Sequence, residues 1–176
     1  NNTSFCGTFD GNGHIISGMT ITNSTEYCGL FARIGTDGKV ENLGVQGSIT
    51  SSQNCGGIAA ANMGTILNCY SNVDITARSV YAGGIVYLNT DGGRIENCYN
   101  IGDITARRAG GIFYEISGTK EGTALTNCYN YGNLSGDTKV CGITAGTNYS
   151  DKITVTNCYY LNTTATTDEG NSTALT

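Results

Sequence analysis

With 176 residues, 9 basic and 14 acidic side chains and a net charge of −5, the chain is long enough for one domain with a real core and has no cationic excess. Nucleic-acid binding, which needs clustered Lys and Arg to displace counterions, is therefore excluded, and so is disorder, because Val, Ile, Leu and Tyr recur regularly and only 13% of residues are charged. No window holds the roughly 18 apolar residues that cross a bilayer, and Asn1-Asn2-Thr3 lacks a signal-peptide pattern, so no membrane insertion is expected and export or anchoring signals are expected outside these residues.

Residues 1–27 read as an opening turn: Phe5-Cys6-Gly7-Thr8-Phe9 leads to the tight turn Asp10-Gly11-Asn12-Gly13, then His14 and the strand-like Ile15 to Ile21. Residues 28–161 are a tandem repeat. One anchor falls at Gly29-Leu30, Gly57-Ile58, Gly84-Ile85, Gly111-Ile112 and Gly142-Ile143, its apolar residues 28, 27, 27 and 31 positions apart. A second falls at Asn42-Leu43, Asn68-Cys69, Asn97-Cys98, Asn127-Cys128 and Asn157-Cys158, at intervals of 26, 29, 30 and 30. Residues 162–176 are polar and read as a C-terminal cap or linker, leaving a single domain over 1–161.

A period near 28 marks a solenoid, a propeller or an array. Within a unit, alternation as in Asp103-Ile104-Thr105-Ala106-Arg107 and the density of Gly and β-branched residues predict strands. Three segments recur per unit, for example Gly84–Tyr87, Arg94–Asn97 and Asp103–Thr105. The expected fold is an all-β right-handed parallel β-helix of about five to six turns, a rod of about 25 to 30 Å at the strand spacing of about 4.8 Å. A propeller blade, with four antiparallel strands and about 40 residues, is the weaker alternative. The chain has 26 Gly and no Pro, so its turns must use Gly, Asn and Asp, which tolerate positive φ.

Stacked turns convert each consensus position into a column. Cys69, Cys98, Cys128 and Cys158, with Leu43 at the same position, predict a buried apolar column of free thiols, although stacked pairs such as Cys69 and Cys98 fall within disulfide reach. Among the remaining Cys6, Cys28, Cys55 and Cys141, near the starts of turns, Cys28 with Cys55 is the best disulfide candidate. Neither Cys-x-x-Cys spacing nor more than one His is present, so no metal or other cofactor is expected. Asn42, Asn68, Asn97, Asn127 and Asn157 predict a ladder before a bend, with amides bonding to the backbone of the adjacent turn.

Tyr70, Tyr99, Tyr129 and Tyr159 form a column facing outward, either stacked between turns or available to a sugar. On the third segment, Asp74, Thr76 and Arg78 align with Asp103, Thr105 and Arg107, and Thr50 and Ser135 extend the hydroxyl column. Mutual Asp–Arg pairs on a solvated face are one reading; a surface for a glycan or protein is the other.

The run Gly7-Thr-Phe-Asp-Gly-Asn-Gly-His14, then Ile16-Ser-Gly-Met-Thr-Ile21, with repeated Gly-Gly-Ile and Asn-Cys-Tyr-Asn units, resembles GLUG-motif repeat proteins over nearly the whole chain. That resemblance implies a β-helix from a secreted or surface-displayed bacterial protein, as in adhesin-like proteins and non-catalytic parts of immunoglobulin-A peptidases. It implies no shared activity.

Parallel β-helices also include polysaccharide-acting enzymes, whose chemistry needs paired carboxylates or a base beside acidic groups. The repeat places no such pair together: Asp10, Asp37, Asp91, Glu96, Glu115 and Glu121 lie mostly in turns or variable stretches. The expected function is a non-catalytic, monomeric adhesion or binding module for a host glycan or protein. A structural spacer and a fragment of a polysaccharide-acting enzyme are the alternatives.

Overall fold

The computed structural model describes residues 3–24, 26–117, 121–144, 153–161 and 172–175. Among them are strands and turns and no helix, and every strand pairing is parallel. The chain is a parallel β-solenoid of about five turns with a spacing of about 28 residues. It has three faces. The first stacks Phe31–Ile34, Ala59–Asn62, Val86–Thr90 and Phe113–Ser117. The second stacks Thr8–Asp10, Lys39–Glu41, Thr65–Leu67, Arg94–Glu96, Thr123–Thr126 and Ile153–Thr156. The third carries the longest strands, including Ile15–Ser24, Gly44–Ser51 and Tyr70–Gly83.

Apolar columns from all three faces meet in the core. Ile58, Ile85, Ile112 and Ile143 are fully buried, as are Val40, Ile66, Ile95 and Leu125 from the second face. Ile49, Ile75 and Ile104 close the third side at 1% exposure each. Branched side chains suit such columns because they are stiff and pack well on a pleated surface, and each buried one contributes about 1.5–3 kcal/mol of transfer free energy.

The Gly-Gly of each anchor is set by close approach. A Cβ on Gly56, Gly83 or Gly110 would collide with the carbonyl oxygen of Ala59, Val86 or Phe113. The second glycines, at 57, 84 and 111, and Gly142 after Cys141, lie against the side chains of Ser71, Asn100, Asn130 and Tyr160. Two of these inward polar residues join: the Asn100 amide donates to Asn130 Oδ1 at 2.9 Å and to the Gly102 carbonyl at 2.8 Å.

Residues 8–24 form a rung of the same solenoid, since Thr8 pairs with Lys39 and Ile15 with Gly44. Phe5 and Phe9 pack on Phe31 at this end, with ring centroids 5.1 and 5.7 Å apart. At the other end, within residues 162–176, read from sequence as cap or linker, Ser172–Leu175 stacks on Cys158–Leu161 as a further rung; residues 162–171 and 176 lie outside the described residues.

Candidate binding faces

The bend between the second and third faces is built the same way in every turn. Asn42, Asn68, Asn97, Asn127 and Asn157 all sit in the left-handed region, at φ of 52 to 53°, a conformation Asn tolerates better than other non-glycine residues. Each amide then donates to the Oδ1 of the rung below: Asn68 to Asn42 at 3.1 Å, Asn97 to Asn68 and Asn127 to Asn97 at 3.0 Å, Asn157 to Asn127 at 3.1 Å. The expected bonds to adjacent backbone are replaced by bonds between side chains, because rungs in register bring identical amides within reach. Asn42 donates to Asp10 Oδ1 at 3.0 Å, so a carboxylate terminates the ladder. The Asn42 amide, and then the Asn12 N–H, hold the Asp10 carboxyl below its usual value.

One residue on, Cys69, Cys98, Cys128 and Cys158 point inward at no more than 1% exposure. Their thiols donate to the carbonyls of Leu67, Glu96, Thr126 and Thr156, two residues back, at 3.1–3.3 Å. Burial, first among the influences on Cys98, pushes its thiol up and keeps it protonated.

The next residue points outward. Tyr70 and Tyr99 stack with centroids 5.0 Å apart and an interplanar angle of 6°; Tyr99 and Tyr129 stack at 4.8 Å and 3°. Tyr70 lies over Gly44, where a Cβ would collide with its ring. Tyr159 is in register with Tyr129, and the stack stops there: among the described residues no ring contact joins them. Tyr129 and Tyr159 are 44% and 39% exposed. Between them is a recess of about 440 Å³ lined by Asn127, Cys128, Tyr129, Asn157 and Tyr159. It therefore combines two aromatic side chains with two amides of the ladder.

The third face differs from its sequence reading. Thr22, Thr50, Thr76, Thr105 and Ser135 do form one hydroxyl column. Asp74 and Asp103, however, do not pair with arginine. Asp74 Oδ1 accepts the Asp103 N–H at 3.0 Å, and Asp103 Oδ1 accepts the N–H and the side-chain amide of Asn133 at 2.9 and 3.0 Å. The ion pairs among the described residues, Lys39–Glu41 and Arg94–Glu96, belong to the second face. The Arg78 and Arg107 side chains are exposed and make no hydrogen bond or ion pair among the described residues, while the Arg107 carbonyl accepts the Thr138 hydroxyl at 3.3 Å. Register also breaks beside them, since Ala77 pairs with Ala106 but Tyr81 pairs with Arg108.

That register break assembles a cluster not anticipated from sequence. Arg108 lies over the Tyr81 ring, 5.4 Å from its centroid, and donates to the Tyr114 hydroxyl at 3.2 Å and to Thr138 Oγ1 at 3.1 Å. The Tyr87 hydroxyl donates to Glu115 Oε2 at 2.6 Å, and burial together with that carboxylate raises the Tyr87 pKa. Cys141 belongs here. It is in register with Gly110 rather than with the column of Cys28 and Cys55.

No family model matches the chain. Over 81 residues, 45% of its length, the chain is 40% identical to halomucin of Haloquadratum walsbyi, of which it spans only 1%. It also resembles the crystal structure of a "putative immunoglobulin A1 protease" from Bacteroides ovatus, with a TM-score of 0.65 and 24% identity over 94% of this chain and 65% of that one. The chain thus covers under two thirds of each protein it matches, and what it shares with the second is the fold: this is a β-helical repeat protein.

Proposed function

We propose that the chain is a non-catalytic binding module of a secreted or surface protein, and that it takes a glycan at the tyrosine edge of the solenoid. The observation that carries this reading is the recess between Tyr129 and Tyr159, where exposed aromatic rings stand beside the amides of Asn127 and Asn157. Sugars bring apolar C–H faces and a rim of hydroxyls, and rings beside amides match both. The exposed Arg78 and Arg107, with Thr76 and Thr105, form a second polar strip that an acidic sugar or protein would engage. Asp74 and Asp103 contribute little there, because their carboxylates are occupied by backbone N–H groups. The names of the two matched proteins, a halomucin and an immunoglobulin A1 protease, support a setting outside the cell.

The non-catalytic reading is supported by the nucleophiles and the histidine. The column thiols donate to carbonyls, and the exposed His14 ring bonds the Gly11 carbonyl at 3.1 Å, with Leu43 in register between it and Cys69. The test is binding of the purified chain to arrayed mucin and cell-wall glycans. Saturable binding that falls at least tenfold in Tyr129→Ala/Tyr159→Ala identifies the tyrosine edge. Loss confined to Arg78→Ala/Arg107→Ala moves the site to the third face, and absence of binding throughout favours the spacer reading.

A further inference from the structure

Six of the eight cysteines of this solenoid fall into two columns that differ in how their sulfurs meet. The four thiols at the Asn bends each donate to a carbonyl two residues back. Cys28 and Cys55 instead face each other: they form a parallel bridge one turn apart, and their sulfurs are 3.0 Å apart. The backbone is pinned on both sides of the pair, Cys28 N–H donating to the Asn54 carbonyl at 3.2 Å and Gly56 N–H to the Cys28 carbonyl at 2.9 Å. Neighbouring rungs of a sheet stand about 4.8 Å apart, inside the Cα separation of roughly 4.4–6.8 Å that a disulfide spans. Above Cys55 the column continues with Ala82, Ala109 and Val140, so no third thiol competes.

We propose that Cys28 and Cys55 close into a disulfide that staples the first turn of the solenoid to the second when the folded chain meets a disulfide oxidant such as oxidised glutathione. The Cys55 thiol, as a donor to Cys28, together with the Ser51 and Ser24 hydroxyls, draws the Cys28 pKa down to about 7, whereas Cys55 is pushed up. Cys28 is also the more exposed of the two, at 6% against 0% for Cys55, and is the nucleophile. With Cys28 ionised, the Cys55 proton turns to it and away from the Gln53 carbonyl, which it otherwise meets at 2.9 Å. The Cys28 thiolate attacks one sulfur of oxidised glutathione, forming a mixed disulfide and expelling one glutathione thiolate. Cys55 gives up its proton, attacks the Cys28 sulfur and expels the second glutathione. Two protein thiols are oxidised, one glutathione disulfide is reduced to two thiols, and the protons leave with them. The staple joins the rung of Ile15–Ser24 to that of Gly44–Ser51, which pair in register along the same face.

The test is to equilibrate the folded chain with a glutathione redox buffer, block remaining thiols under denaturing conditions and map peptides by mass. The expected result is one linkage, Cys28 to Cys55, two hydrogens lighter than the reduced pair, with the other six cysteines alkylated. Oxidation is expected to slow proteolysis within residues 3–24 at least tenfold, an effect absent in Cys28→Ala/Cys55→Ala. That variant places in the column the residue already present at Ala82 and Ala109, so circular dichroism should show an unchanged fold. Eight alkylated cysteines after oxidation, or a linkage within the Cys69 to Cys158 column with Cys28 and Cys55 blocked, overturns the proposal.

Discussion

The two corners that flank the third face obey different rules. The Asn-Cys-Tyr corner repeats without variation in length: Asn in the left-handed region, then an inward thiol, then an outward ring. The Gly-Gly corner is reached six residues after Ala77, four after Ala106 and five after Gly136, and the register shifts to absorb the difference. In the first corner the asparagines bond their own copies and the rings stack from Tyr70 to Tyr129, so one extra residue would break contacts above and below. In the second, the shifted register sets unlike side chains beside one another, as Arg108 meets Tyr81, Tyr114 and Thr138. Regularity carries the fold and irregularity varies the surface.

The sharpest way to break that contrast is insertion. One Gly between Asn97 and Cys98 shifts the alternation so that inward and outward side chains exchange, and we expect about 4 kcal/mol or more of lost stability, or no cooperative unfolding at all. The same Gly after Arg107 should cost less than about 1 kcal/mol, as surface-loop extensions do. Urea unfolding followed by circular dichroism compares them, and equal losses would abolish the distinction between the corners.

A smaller effect separates the two demands on each ladder residue. Asn97→Gly keeps the positive φ and loses the amide bonds to Asn68 and from Asn127, at about 1–2 kcal/mol. Asn97→Val also forces a β-branched residue into the left-handed region, and the total should reach about 3–4 kcal/mol. If both variants cost the same, backbone conformation contributes nothing at this bend.

The smallest effect concerns pH. The Asp10 pKa is lowered in the folded chain, chiefly by the Asn42 amide. A depressed carboxyl contributes stability that is present above its unfolded pKa of about 3.9 and fades as pH falls through the folded value. The melting temperature should therefore drop slightly below pH 4, and Asp10→Asn should flatten that part of the profile.

The columns were legible because two fixed anchors, Gly-Ile and Asn-Cys, establish the period independently, and stacking follows from it. What escaped lay where the period fails. Arg108 gave no signal because its partner in register is Tyr81, reached only after a shift that residue counting misses. Asp10 sits in a turn with another consensus, so its place beneath Asn42 was hidden. Asp74 and Asp103 looked like partners for arginine because types are visible in sequence and directions are not; the nearer donor is a backbone N–H.

The asparagine ladder gives the rod a polarity. Every amide donates the same way, toward the first turn, and the column ends there on the Asp10 carboxylate, which receives the donor Asn42 and offers none in return. Its two directions are therefore not interchangeable: downward the column meets an anion, while upward each rung has already given its donor to the one beneath. A rung joins the ladder by presenting a donor to the one beneath it, and a rung laid beneath Asp10 would face a charge, so that stacking is directed like the growth of a polar filament.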